Sequence, residues 1–453
     1  VLPCDPATAL ADAAAARPVR LRVEPPFGSE HCVTGNDCVR QPAAQGRGAC
    51  PNIWRVPRSS VPPSALHAPP LGSLLKRFSA GSALSCEPVD EGLLNRGYRL
   101  STTRGRFFLK HHFDPETAAP AAIVRQHRAT QRLAELGVPV APPLAGLDGD
   151  TVAVVGGHAY ALHPWIEGRH RHGGQLTPGQ CGRLGSLLGV VHASLERVMA
   201  ARQPAVPAVS SPEVPVAPVR ERLLQARRRS PGRPASAPRG ADRTAGGAEA
   251  VRDPGGAETP WSESADPVET FALIDALLDR VGRHRPADAF DALARHRLLE
   301  RRELLERHAR LRPPGGGPVG WVHGDFHPLN VLYRDDAPEV PAAILDWDRL
   351  GVRPRAEEAV RAAVIFFVRP VGALDLARVR SYARAYRRSA GAGPAELAAA
   401  VHRVWWERLN DFWMLRWHYE RGDTRADPQF PAASALAVWW TREYDAVCEA
   451  FVE

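Results

Sequence analysis

Lysine is nearly absent from this chain: Lys76 and Lys110 are the only two, so the net charge of +8 is carried almost entirely by arginine. Arginine scattered among abundant Ala, Pro and Gly reflects a coding bias more than a phosphate-tracking surface, and no nucleic-acid partner is expected. Cysteine is sparse too, seven in 453 residues, with no C-x-x-C anywhere; Cys4, Cys32, Cys38 and Cys50 match no zinc spacing. The first twenty residues lack a basic start followed by an apolar core, so reduced thiols and a cytoplasmic location are expected. Long apolar runs are missing as well; the run at 363–368 falls far short of a membrane span. Lys76 precedes Arg77 and Lys110 precedes His111, so G-x-x-x-x-G-K-[ST] does not occur and a P-loop enzyme is excluded. H-E-x-x-H is absent, which removes that class of zinc hydrolase.

What is present is a chain of ordinary globular composition, 44% hydrophobic and 24% charged, long enough for two or three domains or one large bilobal one. Its most informative stretch is 321–348, WVHGDFHPLNVLYRDDAPEVPAAILDWD. Here H-x-D-x-x-x-x-N (His323, Asp325, Asn330) follows a short apolar strand. A turn through Asp335, Asp336, Ala337 and Pro338 leads to a second strand ending in Asp346-Trp347-Asp348. If that strand continues, Asp346 and Asp348 share a face. Carboxylate and amide oxygens grouped in this way suit Mg²⁺ together with substrate phosphates. Asp325 stands where it could accept a proton from an attacking hydroxyl, so the residues match the working parts of a phosphoryl-transfer site.

HGDFHPLN followed by ILDWD resembles the aminoglycoside phosphotransferase and choline kinase-like family, small-molecule relatives of the protein kinases. Gly324 stands where protein kinases carry Arg in H-R-D. The resemblance implies an α+β, protein kinase-like bilobal fold with a small β-rich N-lobe and a larger, mostly helical C-lobe. It also implies ATP and Mg²⁺ as cofactors and a small hydroxylated molecule as phosphate acceptor. Asp325 is then the catalytic base that orients and deprotonates the acceptor hydroxyl, and His323 the brace of its loop. Asn330 and Asp346 are the metal candidates. Asp348 is a further one, either assisting them or standing as a solvated strand-end residue. A catalytically weak nucleotide- or partner-binding protein on the same fold is the alternative.

Pattern and the same resemblance divide the remaining chain. Residues 1–70 have clustered Pro and Gly and no sustained period, and are expected to be a poorly ordered extension. An N-lobe is expected over 71–163. In it, strands around 98–102 and 106–110 form a hairpin; the resemblance places this hairpin over a nucleotide, with Asn95 in the preceding loop as a nucleotide-binding candidate and Lys110 directed at the phosphates. A helix is expected over 121–136, stopped by Gly137; it lacks the Glu that the family pairs with the strand lysine, and Gln126 or His127 lies nearest that place. Paired strands at 151–155 and 158–162 lead to a segment that the resemblance makes the hinge between lobes, where backbone groups near Leu162 and Pro164 would meet adenine. The C-lobe is expected over 164–453. His192 falls in a helical Leu/Val stripe and is read as packed structure. Residues 203–260 contain no Phe, Tyr or Trp and are expected to be a disordered insertion. Glu357 stands where the family often has an Asp, so the resemblance makes it the expected buttress of the catalytic loop. Residues 401–420 read as one helix whose Trp406, Trp417 and Tyr419 are candidates for an aromatic wall facing a cationic acceptor.

Overall fold

In the computed structural model the described residues are 69–89, 95–112, 119–200, 264–314 and 317–453. The extension expected at 1–70, apart from its last two residues, and the insertion expected at 203–260 lie outside them.

Alternation in the strand sequences builds the smaller layer. Helix α1 (Leu71–Arg77) leads into β1 (Ala83–Val89), β2 (Arg96–Thr102) and β3 (Gly105–His112); after α2 (Pro120–Glu135) come β4 (Ala153–Val155) and β5 (His158–Pro164). The five strands form one antiparallel sheet in the order β1-β2-β3-β5-β4. Tyr98, Leu100, Leu109, Tyr160 and Leu162 supply one apolar face, closed by Leu74, Leu75 and Phe78 of and beside α1. The pleat sends Lys110 and His112 to the other face, where α2 packs. Its stripe of Ile123, Gln126, His127, Thr130 and Leu133 is buried, and Gly137 (φ +78°) ends the helical course in a left-handed turn.

His112 and His127 are sealed between this sheet and α2. Burial holds both imidazoles neutral, lowering His112 to about 2 and His127 to about 3. The unfolded chain takes up these protons near the ordinary value of 6.5 and the folded chain does not. Stability is therefore complete above that pH and falls as pH drops below it, by about 1.4 kcal/mol per pH unit per histidine. Denaturant titrations between pH 7 and 5 should show this slope, and His112→Leu should remove roughly one histidine's share of it; a slope untouched by that substitution would contradict the assignment.

The larger layer is mostly helical. It contains β6 (Arg169–His170), α3 (Pro178–Met199), α4 (Pro267–Arg283), α5 (Ala289–His308), β7 (Val319–Val322), β8 (Val331–Tyr333), β9 (Pro341–Ile344), β10 (Gly351–Pro354), α6 (Arg355–Phe367), α7 (Leu376–Ala390) and α8 (Pro394–Asn410). Two last helices, α9 (Phe430–Arg442) and α10 (Tyr444–Val452), complete it. Thr177 opens α3 with a capping box to Gln180, and Leu184, Leu188, Val191 and Leu195 are buried as their spacing requires. A Cβ at Gly185 would lie 2.1 Å from the Tyr382 carbonyl oxygen, so α3 and α7 cross closer than any side chain would permit. No helix among the described residues is long and apolar enough to cross a membrane.

Residues 401–420 do not form the single helix expected. Helix α8 stops at Asn410, a short helical turn follows at Trp413–Arg416, and Trp417–Arg421 is a π-helical turn. The cause is a buried cation. Arg301 donates from Nη1 to the carbonyls of Arg408 (2.8 Å) and Asp411 (3.0 Å), satisfying helix-end acceptors that a continuing helix would have used. Trp405 and Trp406 are in the core, and Trp406 donates from Nε1 to Ala265 O, so Trp406 is not part of any aromatic wall.

Candidate active site

The segment 321–358 hangs from an antiparallel ribbon that sequence patterning did not reveal. Strand β10 pairs with β7 in the register Gly351↔Val322 to Pro354↔Val319, so the chain leaves β7 at His323 and returns to it just after Asp348. Between them, β8 and β9 form the expected hairpin, with Val331 opposite Ile344 and Leu345 N–H donating to Asn330 O at 2.9 Å. Asn330 and Asp346 thereby sit at neighbouring ends of paired strands.

Backbone requirements at the loop are strict. Gly324 has φ +88°, and a Cβ there would lie 2.1 Å from the Arg349 carbonyl oxygen, which explains why no side chain stands in the middle of H-x-D. His323 is fully buried with both ring nitrogens engaged. Its Nδ1 accepts from Asp325 N–H (3.2 Å), so Nε2 carries the proton and donates to Leu345 O (2.9 Å). One imidazole thus joins the two acid-bearing segments, the geometry of a brace. Beneath it, the Glu358 carboxylate accepts from His323 N–H (3.2 Å) and from Gly324 N–H, and meets His192 Nε2 at 2.7 Å. His192 in turn reaches the Tyr386 hydroxyl at 3.0 Å.

The buttress is therefore Glu358, a correction to Glu357. Glu357 instead pairs with Arg361 (2.9 Å) and with Arg403.

Asp325 is partly exposed and faces His327 Nε2 at 3.6 Å and Arg349 Nε at 4.0 Å. Burial works against its charge, but His327, Arg349 and His323 together hold the carboxyl below the usual range. Asn330 donates from Nδ2 to Asp325 O at 2.8 Å, which orients the amide and leaves Oδ1 without a hydrogen bond among the described residues.

Lys110 crosses from the sheet to meet this segment. Its Nζ lies 2.8 Å from Asp346 Oδ1 and 2.6 Å from Asp348 Oδ1. Burial alone would lower the lysine, yet the two carboxylates more than offset it and keep the ammonium charged. Burial also opposes Asp346, but Lys110 holds that carboxyl well below its usual range. Asp348 goes the other way: burial and the neighbouring Asp346 charge outweigh Lys110 and push it up to about 6. The two aspartates are not brought together by strand alternation. Strand β9 ends at Ile344, and Asp346 takes a left-handed φ of +56°, strained for a non-glycine residue.

Asn95 donates from Nδ2 to Asp348 Oδ2, tying the loop before β2 to the same carboxylate. Gln126 of α2 donates from Nε2 to Asp348 O at 2.9 Å. A neutral amide thus occupies the place nearest the missing helix Glu, and Lys110 draws its counter-charge from the aspartates. At the strand end, the Leu162 carbonyl accepts from Leu144 N–H (2.7 Å) and Trp165 N–H donates to Arg106 O (3.1 Å), so these two groups are already used within the fold. Pro164 pairs with Phe107 at the sheet margin. Gln126 is one of the two residues the sequence offers for the place of the missing helix Glu; His327 and Arg349 are not singled out by the sequence, although His327 is visible as the second histidine of HGDFH.

Antiparallel sheet, helical layer and paired acidic segments joined by one lysine define a phosphotransferase-type architecture. Residues 85–392 match the model of the phosphotransferase enzyme family, and the chain belongs to that family. Among curated relatives, the homoserine kinase of Bartonella tribocorum is 28% identical over 127 residues, 28% of this chain and 39% of that protein. The homoserine kinase of Afipia carboxidovorans is 27% identical over 122 residues, 27% of this chain and 36% of that protein. The chain thus spans less than half the length of these relatives. Among solved structures, a microcompartment-associated aminopropanol kinase shares 15% identity at TM-score 0.48, covering 84% of this chain and 99% of its own. A spectinomycin phosphotransferase in complex with AMP shares 13% identity at TM-score 0.46, covering 81% and 96%.

Proposed function

We propose that this chain is an ATP- and Mg²⁺-dependent phosphotransferase acting on a hydroxyl of a small metabolite or aminoglycoside-like compound. The observation that carries it is the meeting of Lys110, from the five-stranded sheet, with Asp346 and Asp348 beside the His323–Asn330 loop. In this proposal 71–163 serves as N-lobe and 164–453 as C-lobe, with nucleotide between them and Leu162 to Pro164 at the hinge.

The oxygen donors fit a hard divalent cation: Asp346 and Asp348 offer carboxylates, and Asn330 has an Oδ1 that no hydrogen bond among the described residues occupies. Mg²⁺ held there would neutralise phosphate charge. Lys110 and Asn95, which here contact Asp348, would hold phosphate oxygens of a bound nucleotide. Asp325, kept ionised by His327 and Arg349, orients the acceptor hydroxyl and takes its proton, while His323 fixes the loop that carries it. Most of the rate then comes from positioning and charge neutralisation.

One observation favours the alternative of a weakly active nucleotide-binding protein: α2 presents Gln126 to the site and no carboxylate. A coupled assay of ADP release over homoserine, amino alcohols, choline-like amines and aminoglycosides separates the two. Mg²⁺-dependent release that rises with one acceptor class is expected. Nucleotide binding without acceptor-dependent release from any of them would favour the alternative.

A further inference from the structure

Away from the cleft, three segments converge on a histidine–aspartate cluster. His284 follows the end of α4, Asp291 lies in the first turn of α5, and His418 belongs to the π-helical turn. One ring nitrogen from each histidine and one Asp291 oxygen all lie within 4.8 Å of one another. Two imidazoles and a carboxylate are a borderline-soft donor set that suits zinc and its neighbours rather than Mg²⁺.

The surroundings are those of held ligands. His418 is nine-tenths buried, its Nδ1 meets Asp427 Oδ2 at 2.8 Å, and its Nε2 makes no hydrogen bond among the described residues. A carboxylate on the far nitrogen is the usual device for fixing the tautomer and orientation of a metal-binding histidine. Tyr419 donates its hydroxyl to Asp291 Oδ1 at 2.7 Å, and Phe290 stacks on the His418 ring at 4.3 Å. Asp291 also caps α5: its Oδ2 accepts from Asp288 N–H (2.9 Å) and meets His284 Nδ1 (2.9 Å). His284 keeps 38% of its side chain exposed, which provides a path for an ion.

We propose that His284, Asp291 and His418 form a binding site for a zinc-class divalent cation, with one position left to solvent. The ion would take the place of the His284–Asp291 hydrogen bond and tie the α4–α5 connection to the irregular stretch after α8. Nothing in this depends on the phosphotransferase reading, because the cluster shares no residue with it.

The test uses the full chain, stripped with chelator and kept in excess Mg²⁺ to occupy oxygen-only sites. Equimolar Zn²⁺ uptake is expected, with intense visible bands on Co²⁺ substitution that His284→Gln and His418→Gln abolish. Asp427→Asn, which leaves all three ligands, should weaken Zn²⁺ binding by about 10–100-fold. Matching circular dichroism of the metal-free forms excludes a folding defect. Absence of Co²⁺ bands in the unaltered chain, or Zn²⁺ uptake equal in His418→Gln, would overturn the proposal and leave a helix-capping hydrogen bond only.

Discussion

Asp325→Asn is expected to lower kcat by about 10²–10⁴-fold, the range that positioned acid–base groups contribute. Asparagine keeps the size of the side chain and can still touch His327, but it cannot accept the proton of an attacking hydroxyl. Nucleotide affinity should change little, since the cation and phosphate candidates Asn330, Asp346 and Lys110 are untouched. The comparison is single-turnover transfer against nucleotide binding by calorimetry, variant beside parent. Equal turnover would remove Asp325 from the chemistry. Parallel loss of binding and turnover would assign it a structural part instead.

Glu358→Ala should be the most damaging substitution for stability, costing about 3–5 kcal/mol, as expected when one partner of a buried charged network is removed. The carboxylate is almost completely buried and accepts from two backbone N–H groups of the loop as well as meeting His192. Alanine leaves those donors stranded away from water. Burial raises the carboxyl and His192 lowers it, and the balance keeps Glu358 ionised. Glu358→Gln retains shape and one acceptor oxygen, so a smaller loss is expected. Urea denaturation of both variants checks this. A change under about 1 kcal/mol for alanine would mean the loop is held by other contacts.

The contrast between Glu357 and Glu358 shows where sequence ran out. Successive helix residues point about 100° apart, so which of two adjacent glutamates faces the loop depends on how the chain enters α6. That entry is set by the β10–β7 pairing, and β10 is only Gly351–Pro354, too short to show alternation. The stretch 321–348 was legible because its motif is contiguous and each half borders an apolar strand. The sheet was legible because Tyr98, Leu100, Leu109, Tyr160 and Leu162 alternate cleanly. The break after Asn410 was not, since the Arg301 guanidinium that ends α8 comes from more than a hundred residues earlier. The convergence of Asp346 and Asp348 was foreseen by the wrong route: a left-handed residue, and no strand pleat, turns both toward Lys110.

The short ribbon of β7 and β10 has a mechanical consequence. Everything from His323 to Arg349 is a loop tethered at both feet to the same two strands, with the His323 ring spanning its middle. Such a piece travels whole. If the two proposed lobes part around a ligand, spacings among Asp325, Asn330 and Asp346 should stay constant. The separations expected to grow are those to Lys110, Asn95 and Gln126, the residues of the 71–163 segment that contact Asp346 or Asp348.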